Sequence, residues 1–135
     1  MLVLALAACG AGSGEGLDQN GRPIGGTLPP AATFPSIQVN VFTPVCAALG
    51  CHGGASAQQG LRLDAGFSYG NLLNIASPRD ATLIRVIPGD PDNSFIIQKL
   101  EGTQTLGARM PDGGPYLQQS QIDLIRQWIA AGALP

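Results

Sequence analysis

The 135-residue chain is short of several things, and each shortage removes a class of function. Lys99 is its only lysine and the formal charge is −2 at pH 7, so no basic stripe exists to follow a nucleic-acid backbone. Nucleic acid is excluded as a partner. The apolar run Leu2 to Ala8 falls far short of the roughly twenty residues that a bilayer-crossing helix needs. Aromatic residues are few, at four Phe, two Tyr and one Trp, while 19 Gly and 11 Pro favour loops over long regular elements. His52 is the only histidine, which excludes a centre built on two imidazoles from one subunit. The length allows one domain with a modest core, and a large buried cofactor would suit it.

Cysteine is present in the odd number of three, so each must be read by its context. Cys9 ends the N-terminal apolar run. Leu6-Ala7-Ala8-Cys9 followed by Gly10 resembles a bacterial lipoprotein signal, in which small residues are cleaved ahead of a cysteine that receives lipid. The resemblance implies a signal over 1–9 and a membrane anchor at a lipidated Cys9. With Gly10 in place of Asp, it implies a periplasm-facing, outer-membrane lipoprotein of the bacterial envelope. The competing reading is an apolar core segment with a buried free thiol. Residues 10–35 are rich in Gly, Pro, Ser and Thr and show no hydrophobic period, which predicts a flexible linker. The folded domain is then expected over 36–135.

Within that domain Ile37, Val41 and Val45 recur at helical spacing, predicting a short helix capped by Ser36 and bent at Pro44. Tyr69 to Asn74 predicts one or two helical turns. Asp92 to Leu100 follows Pro91 and places Phe95, Ile96 and Leu100 on one face, with Gly102 closing the helix. The last helix carries Ile122, Ile125, Trp128 and Ile129, with Ser120 and Asp123 as an expected capping box and Gly132 as its stop. With no strand pattern evident, the expected fold is all-α.

The chemistry concentrates in Cys46-Ala47-Ala48-Leu49-Gly50-Cys51-His52, where two thiols lie close together and an imidazole follows the second. This looks like a haem c attachment site. In the usual form two residues separate the cysteines, each sulfur adds to one vinyl group, and the next histidine ligates iron. Four residues separate them here, a less frequent variant that requires the additional residues to bulge outward, with Gly50 helping the turn. A Cys46–Cys51 disulfide would suit an exported protein but leaves His52 without a purpose. Zinc would need about four ligands, and this region supplies three.

With no second histidine, the other axial ligand must be a different residue type. Once Met1 is set aside, Met110 is the sole methionine and the candidate, the competing reading being a gap-filling core residue. Arg62, Arg85 and Arg109 are candidates for pairing with haem propionates, or are solvated surface arginines. Trp128 reads as core packing.

Nearly the whole domain resembles class I c-type cytochromes, and more closely the planctomycete-type cytochrome c domain. The residues that carry this are Val41 to Cys46, Gly50-Cys51-His52-Gly53-Gly54, Gly60 to Leu63, Val86 to Ser94, Arg109-Met110-Pro111 and Trp128 to Ala133. The resemblance implies a small cytochrome c-like domain of several short helices around a covalently bound haem. Cys46 and Cys51 would be its thioether sites, with His52 and Met110 on the iron. The function expected is electron transfer outside the cytoplasm by haem c, without a catalytic group and with transient redox protein partners, leaving oligomeric state open. A haem peroxidase or gas sensor would need an open sixth position instead. The alternative is a disulfide-stabilised envelope lipoprotein domain that binds a partner and carries no haem.

Overall fold

The computed structural model describes residues 31–135. The signal expected over 1–9 with Cys9, and most of the linker expected over 10–35, lie outside the described residues.

The first helix, α1 (Phe34–Ile37), opens two residues before the expected cap. Thr33, in extended backbone, caps it by accepting a hydrogen bond from the Ser36 amide at 3.4 Å, and Pro35 sits in the first turn, where a missing N–H is harmless. Ser36 is therefore already inside the helix. The chain then continues as a π-helical stretch, Gln38–Cys46, whose amides reach back five residues, as Ala47 N does to Phe42 O at 2.8 Å. Pro44, which would interrupt an α-helix, sits within this wider winding.

Beyond a 3₁₀ turn at Gln58–Gly60, the chain forms α2 (Ser68–Leu72), strands β1 (Ala76–Ser77) and β2 (Asp80–Ile84), α3 (Phe95–Glu101) and α4 (Gln119–Ala130). The all-α expectation, with its all-helical cytochrome c-like domain, is thereby overturned. β1 and β2 pair antiparallel, Ala76 opposite Ile84 and Ser77 opposite Asp80, and helix accounts for only 38% of the described residues, so the fold is mixed α/β. The tight connection Pro78-Arg79 lacks the Asn-Gly type of residues that announce a hairpin. Side chains hold it instead, with Ser77 Oγ accepting from Arg79 N at 3.3 Å and Asp80 Oδ1 accepting from Thr82 N at 2.9 Å.

α4 starts at a capping box made by Gln118 and Gln121, not Ser120 and Asp123. Its buried face, Ile122, Ile125, Trp128 and Ile129, meets Ile37, Val41 and Phe42 in the core. The Phe34 ring lies 5.2 Å from Trp128 and 5.0 Å from Tyr69, so a small aromatic cluster joins the two ends of the described chain. Trp128 Nε1 donates to Leu134 O at 2.7 Å and the Tyr69 hydroxyl to Ala133 O at 3.0 Å, pinning the tail beside α1. Ala32, Phe34, Trp128, Leu134 and Pro135 share one hollow there.

Candidate cofactor site

Cys46, His52 and Met110 line one cleft, although they come from the end of the π-helical stretch, the loop after it and the loop between α3 and α4. The cleft encloses about 250 Å³, within about 1170 Å³ of space free of protein atoms once its open mouth is counted. Its walls are largely apolar, with Val41, Phe42, Leu61, Leu72, Ile96 and Ile125 prominent. Such a concave apolar surface with a few polar groups is the usual form of a cofactor site. Cys51 does not line it and is exposed, and both Cys46 and Cys51 are free thiols.

The loop carrying the two cysteines closes on its own backbone. His52 N donates to Cys46 O at 3.2 Å, Cys51 N to Ala48 O at 3.0 Å and Gly53 N to Ala48 O at 3.1 Å. The spacer therefore folds back and brings Cys46 beside His52. Ala48, Leu49 and Gly50 are exposed, Leu49 to 87%, and Gly50 takes a left-handed φ of 85°. At Gly53 a Cβ would stand 2.2 Å from Ala47 O, so the closure requires glycine for lack of space, not for its dihedral freedom.

His52 is fixed from the other side. Leu63 N donates to His52 O at 2.7 Å, and the ring Nδ1 lies 3.1 Å from Leu61 O. A carbonyl only accepts, so Nδ1 carries the proton and the lone pair belongs to Nε2. Burial holds the imidazole below its ordinary pKa, opposed by the bonds to backbone carbonyls and assisted by the charges of Arg85 and Lys99. A neutral ring with a fixed tautomer is what a metal-ligating histidine requires. Burial, with a smaller contribution from Cys51, pushes the Cys46 thiol up to about 11.

Met110 is half-buried against the core, and its amide donates to Lys99 O at 2.8 Å. The charged side chains of the cleft are mostly cationic: Arg79, Arg85 and Lys99 against Asp112. Arg85 is buried, at 8% exposure, and its guanidinium donates to Asn71 O and Gln59 O at 2.8 Å each. Among the described residues it has no carboxylate partner, so an anionic group of a ligand would offset the cost of its burial. The other two candidate arginines are engaged elsewhere. Arg62 pairs with Asp64 and covers the Phe67 ring, and Arg109 donates to Leu100 O at 2.8 Å and lies over Tyr116.

Sequence reasoning did not find Leu61, whose contribution is a backbone carbonyl, nor Arg79 and Lys99 at the cleft. Two cations recurring near the methionine segment in space leave no sequence pattern. Among the described residues no three His, Cys, Asp or Glu side chains gather as a metal-ion group, and no helix is long and apolar enough to cross a membrane. No family model, curated protein or solved structure matches the chain.

Proposed function

We propose that this protein transfers electrons outside the cytoplasm by means of a covalently bound haem c, with Cys46 and Cys51 as the thioether sulfurs and His52 and Met110 as axial ligands. The observation that carries this reading is that His52, next to Cys51 in sequence, and the distant Met110 line the same apolar cleft. The residues at the cleft suit the group: one neutral imidazole, one soft thioether and the Cys46 thiol, with a buried arginine short of an anion where propionates would need cations; the second thiol, Cys51, stands exposed outside the cleft.

Bound haem would supply a one-electron ferrous/ferric couple. The chain's own residues do the rest. Leu61 O holds the His52 tautomer, the aliphatic walls exclude water, and Met110 as a ligand would close the iron to small molecules and favour the ferrous state relative to a second imidazole. Arg85 and Arg79 would balance carboxylate charge at the cleft. Partners would be redox proteins meeting it transiently, with the membrane anchor supplied by lipid at Cys9.

The test is production with a haem c maturation system, followed by mass spectrometry and visible spectra. Expected are a covalent haem adduct, a Soret band and, in the ferric form, the methionine-to-iron charge-transfer band, which Met110→Ala removes. A colourless protein of apoprotein mass with Cys46 and Cys51 oxidised to each other would overturn the reading. So would a ferric spectrum indifferent to Met110→Ala, which would mean an open sixth position.

A further inference from the structure

We propose that Lys99 is the positioning residue for Met110, strapping the segment 106–110 to the C-terminal turn of α3. This rests on the reading of Met110 as an axial ligand. At the end of a helix the last carbonyls have no partner within the helix. Gly102 N and Thr103 N, at 2.9 and 3.1 Å, satisfy Gln98 O. The next two carbonyls are satisfied by the returning loop: Lys99 O by Met110 N at 2.8 Å, and Leu100 O by Arg109 Nε at 2.8 Å. Met110 is thus docked through its backbone on the residue whose side chain does the remaining work.

That side chain turns along the same loop. Lys99 Nζ donates to Leu106 O at 3.0 Å and to Ala108 O at 2.5 Å, so one residue holds positions 106, 108 and 110. Among the described residues the ammonium makes no ion pair, and the guanidinium of Arg79 lies nearby, which raises its electrostatic cost. A lysine kept only for solubility would point its charge at water or at an acid; this one bonds loop carbonyls. The loop has bent to admit it. Gly107 takes a φ of 76°, and a Cβ there would stand 3.2 Å from both Lys99 Nζ and Arg79 Nη1. Left-handed backbone favours glycine at the centre of the strap, and any larger residue would push on the Lys99 ammonium.

A thioether is a weak ligand, and its hold on a metal depends on the segment that presents it. With the strap intact the segment stays docked; without it, Met110 should exchange with external ligands more readily. Lys99→Met keeps the apolar stem and deletes the ammonium, and Gly107→Ala disturbs the same contact while keeping the lysine. Two measurements on the full protein test this: imidazole titration of the ferric charge-transfer band, and amide hydrogen exchange at Met110 relative to Ile125 in α4.

Either variant should bind imidazole at about tenfold lower concentration and exchange the Met110 amide about tenfold faster than the wild type, the weight of roughly one lost hydrogen bond to a charged group. Exchange at Ile125 should stay within about twofold, since its protection reports the core. If the wild type shows the band but both variants leave imidazole affinity and Met110 exchange unchanged, Lys99 is not the strap. A uniform rise at Met110 and Ile125 would make it a general stabiliser, which also overturns the proposal. If no haem is attached, the functional reading fails first, and the exchange measurement alone decides whether Lys99 holds the loop.

Discussion

The segments that bring His52 and Met110 to the cleft are built differently. The histidine segment, residues 46–63, is knitted by its own main chain: Cys46 O to His52 N, Ala48 O to Gly53 N, His52 O to Leu63 N, with Gly53 pressed so close to Ala47 that no side chain fits. The methionine segment, residues 102–110, has little internal bonding and is held to α3 by one main-chain bond, Met110 N to Lys99 O, and by two long side chains, Lys99 and Arg109, reaching across. A main-chain closure is rigid and intolerant of substitution, whereas one held by long side chains gives way by degrees. The contrast teaches that the histidine is set by folding itself, and the methionine by two residues that can be changed one at a time.

The sharpest way to break this comparison is a methyl group on each side. Gly53→Ala drives a Cβ into backbone, where nothing flexible can move, and should cost about 3 kcal/mol, the upper end of ordinary overpacking. Gly102→Ala meets the aliphatic stem of Arg109, Cδ at 2.8 Å and Cγ at 3.2 Å, a side chain that can shift where backbone cannot, and with a left-handed φ of 75° it should cost about 1 kcal/mol. Urea unfolding of both variants measures the difference; equal losses would erase the distinction between the segments.

A second, smaller effect concerns what ties the histidine segment to the π-helical stretch. Gln38 is buried, donates to Leu63 O at 2.9 Å and to Thr43 Oγ1 at 3.0 Å, and accepts from the Ser68 hydroxyl. Gln38→Ala strands a buried carbonyl and a buried hydroxyl and should cost about 2 kcal/mol. Thermal unfolding gives the value, and a loss below a few tenths would show that the tie is idle.

The smallest effect sharpens the comparison through pH. Asp64 accepts from Gly54 N and pairs with Arg62, and the hydrogen bond from Arg62 holds its carboxyl below the ordinary 3.8. Its contribution to stability is complete above that ordinary value and is lost as pH falls through the depressed folded value. Asp64→Asn should therefore flatten the acid limb of the stability curve and leave neutral pH less stable than wild type. Acid titration followed by circular dichroism measures this, and parallel curves for the two proteins would remove Asp64 from the account.

Legibility in the sequence followed the length of each signal. The buried face of α4 is readable because Ile122, Ile125 and Ile129 repeat over about two turns, yet its cap is misplaced because Ser120 and Asp123 fit the capping pattern better than the Gln118 and Gln121 that form it. The π-helical winding of Gln38–Cys46 was invisible, since Ile37, Val41 and Val45 would be spaced alike in an ordinary helix. β2 went unread because it is short and exposed over most of its length, so the Thr82-Leu83-Ile84 run never alternated cleanly between core and solvent. At the site, Cys46, His52 and Met110 were chosen by residue type and reach one cleft; Cys51 was chosen the same way and lies outside it. Leu61 and Lys99 could not be chosen, because a carbonyl belongs to every residue and a lysine's partners are set only by the fold.

The aromatic contact between Phe34 and Trp128 has a mechanical consequence. Tension applied between residue 31 and residue 135 passes directly through that contact and the pinned tail, because both ends leave from one hollow. The loops bearing Cys46, His52 and Met110 lie off this line of force. Pulling between residues 31 and 135 would open the latch before it disturbed the cleft.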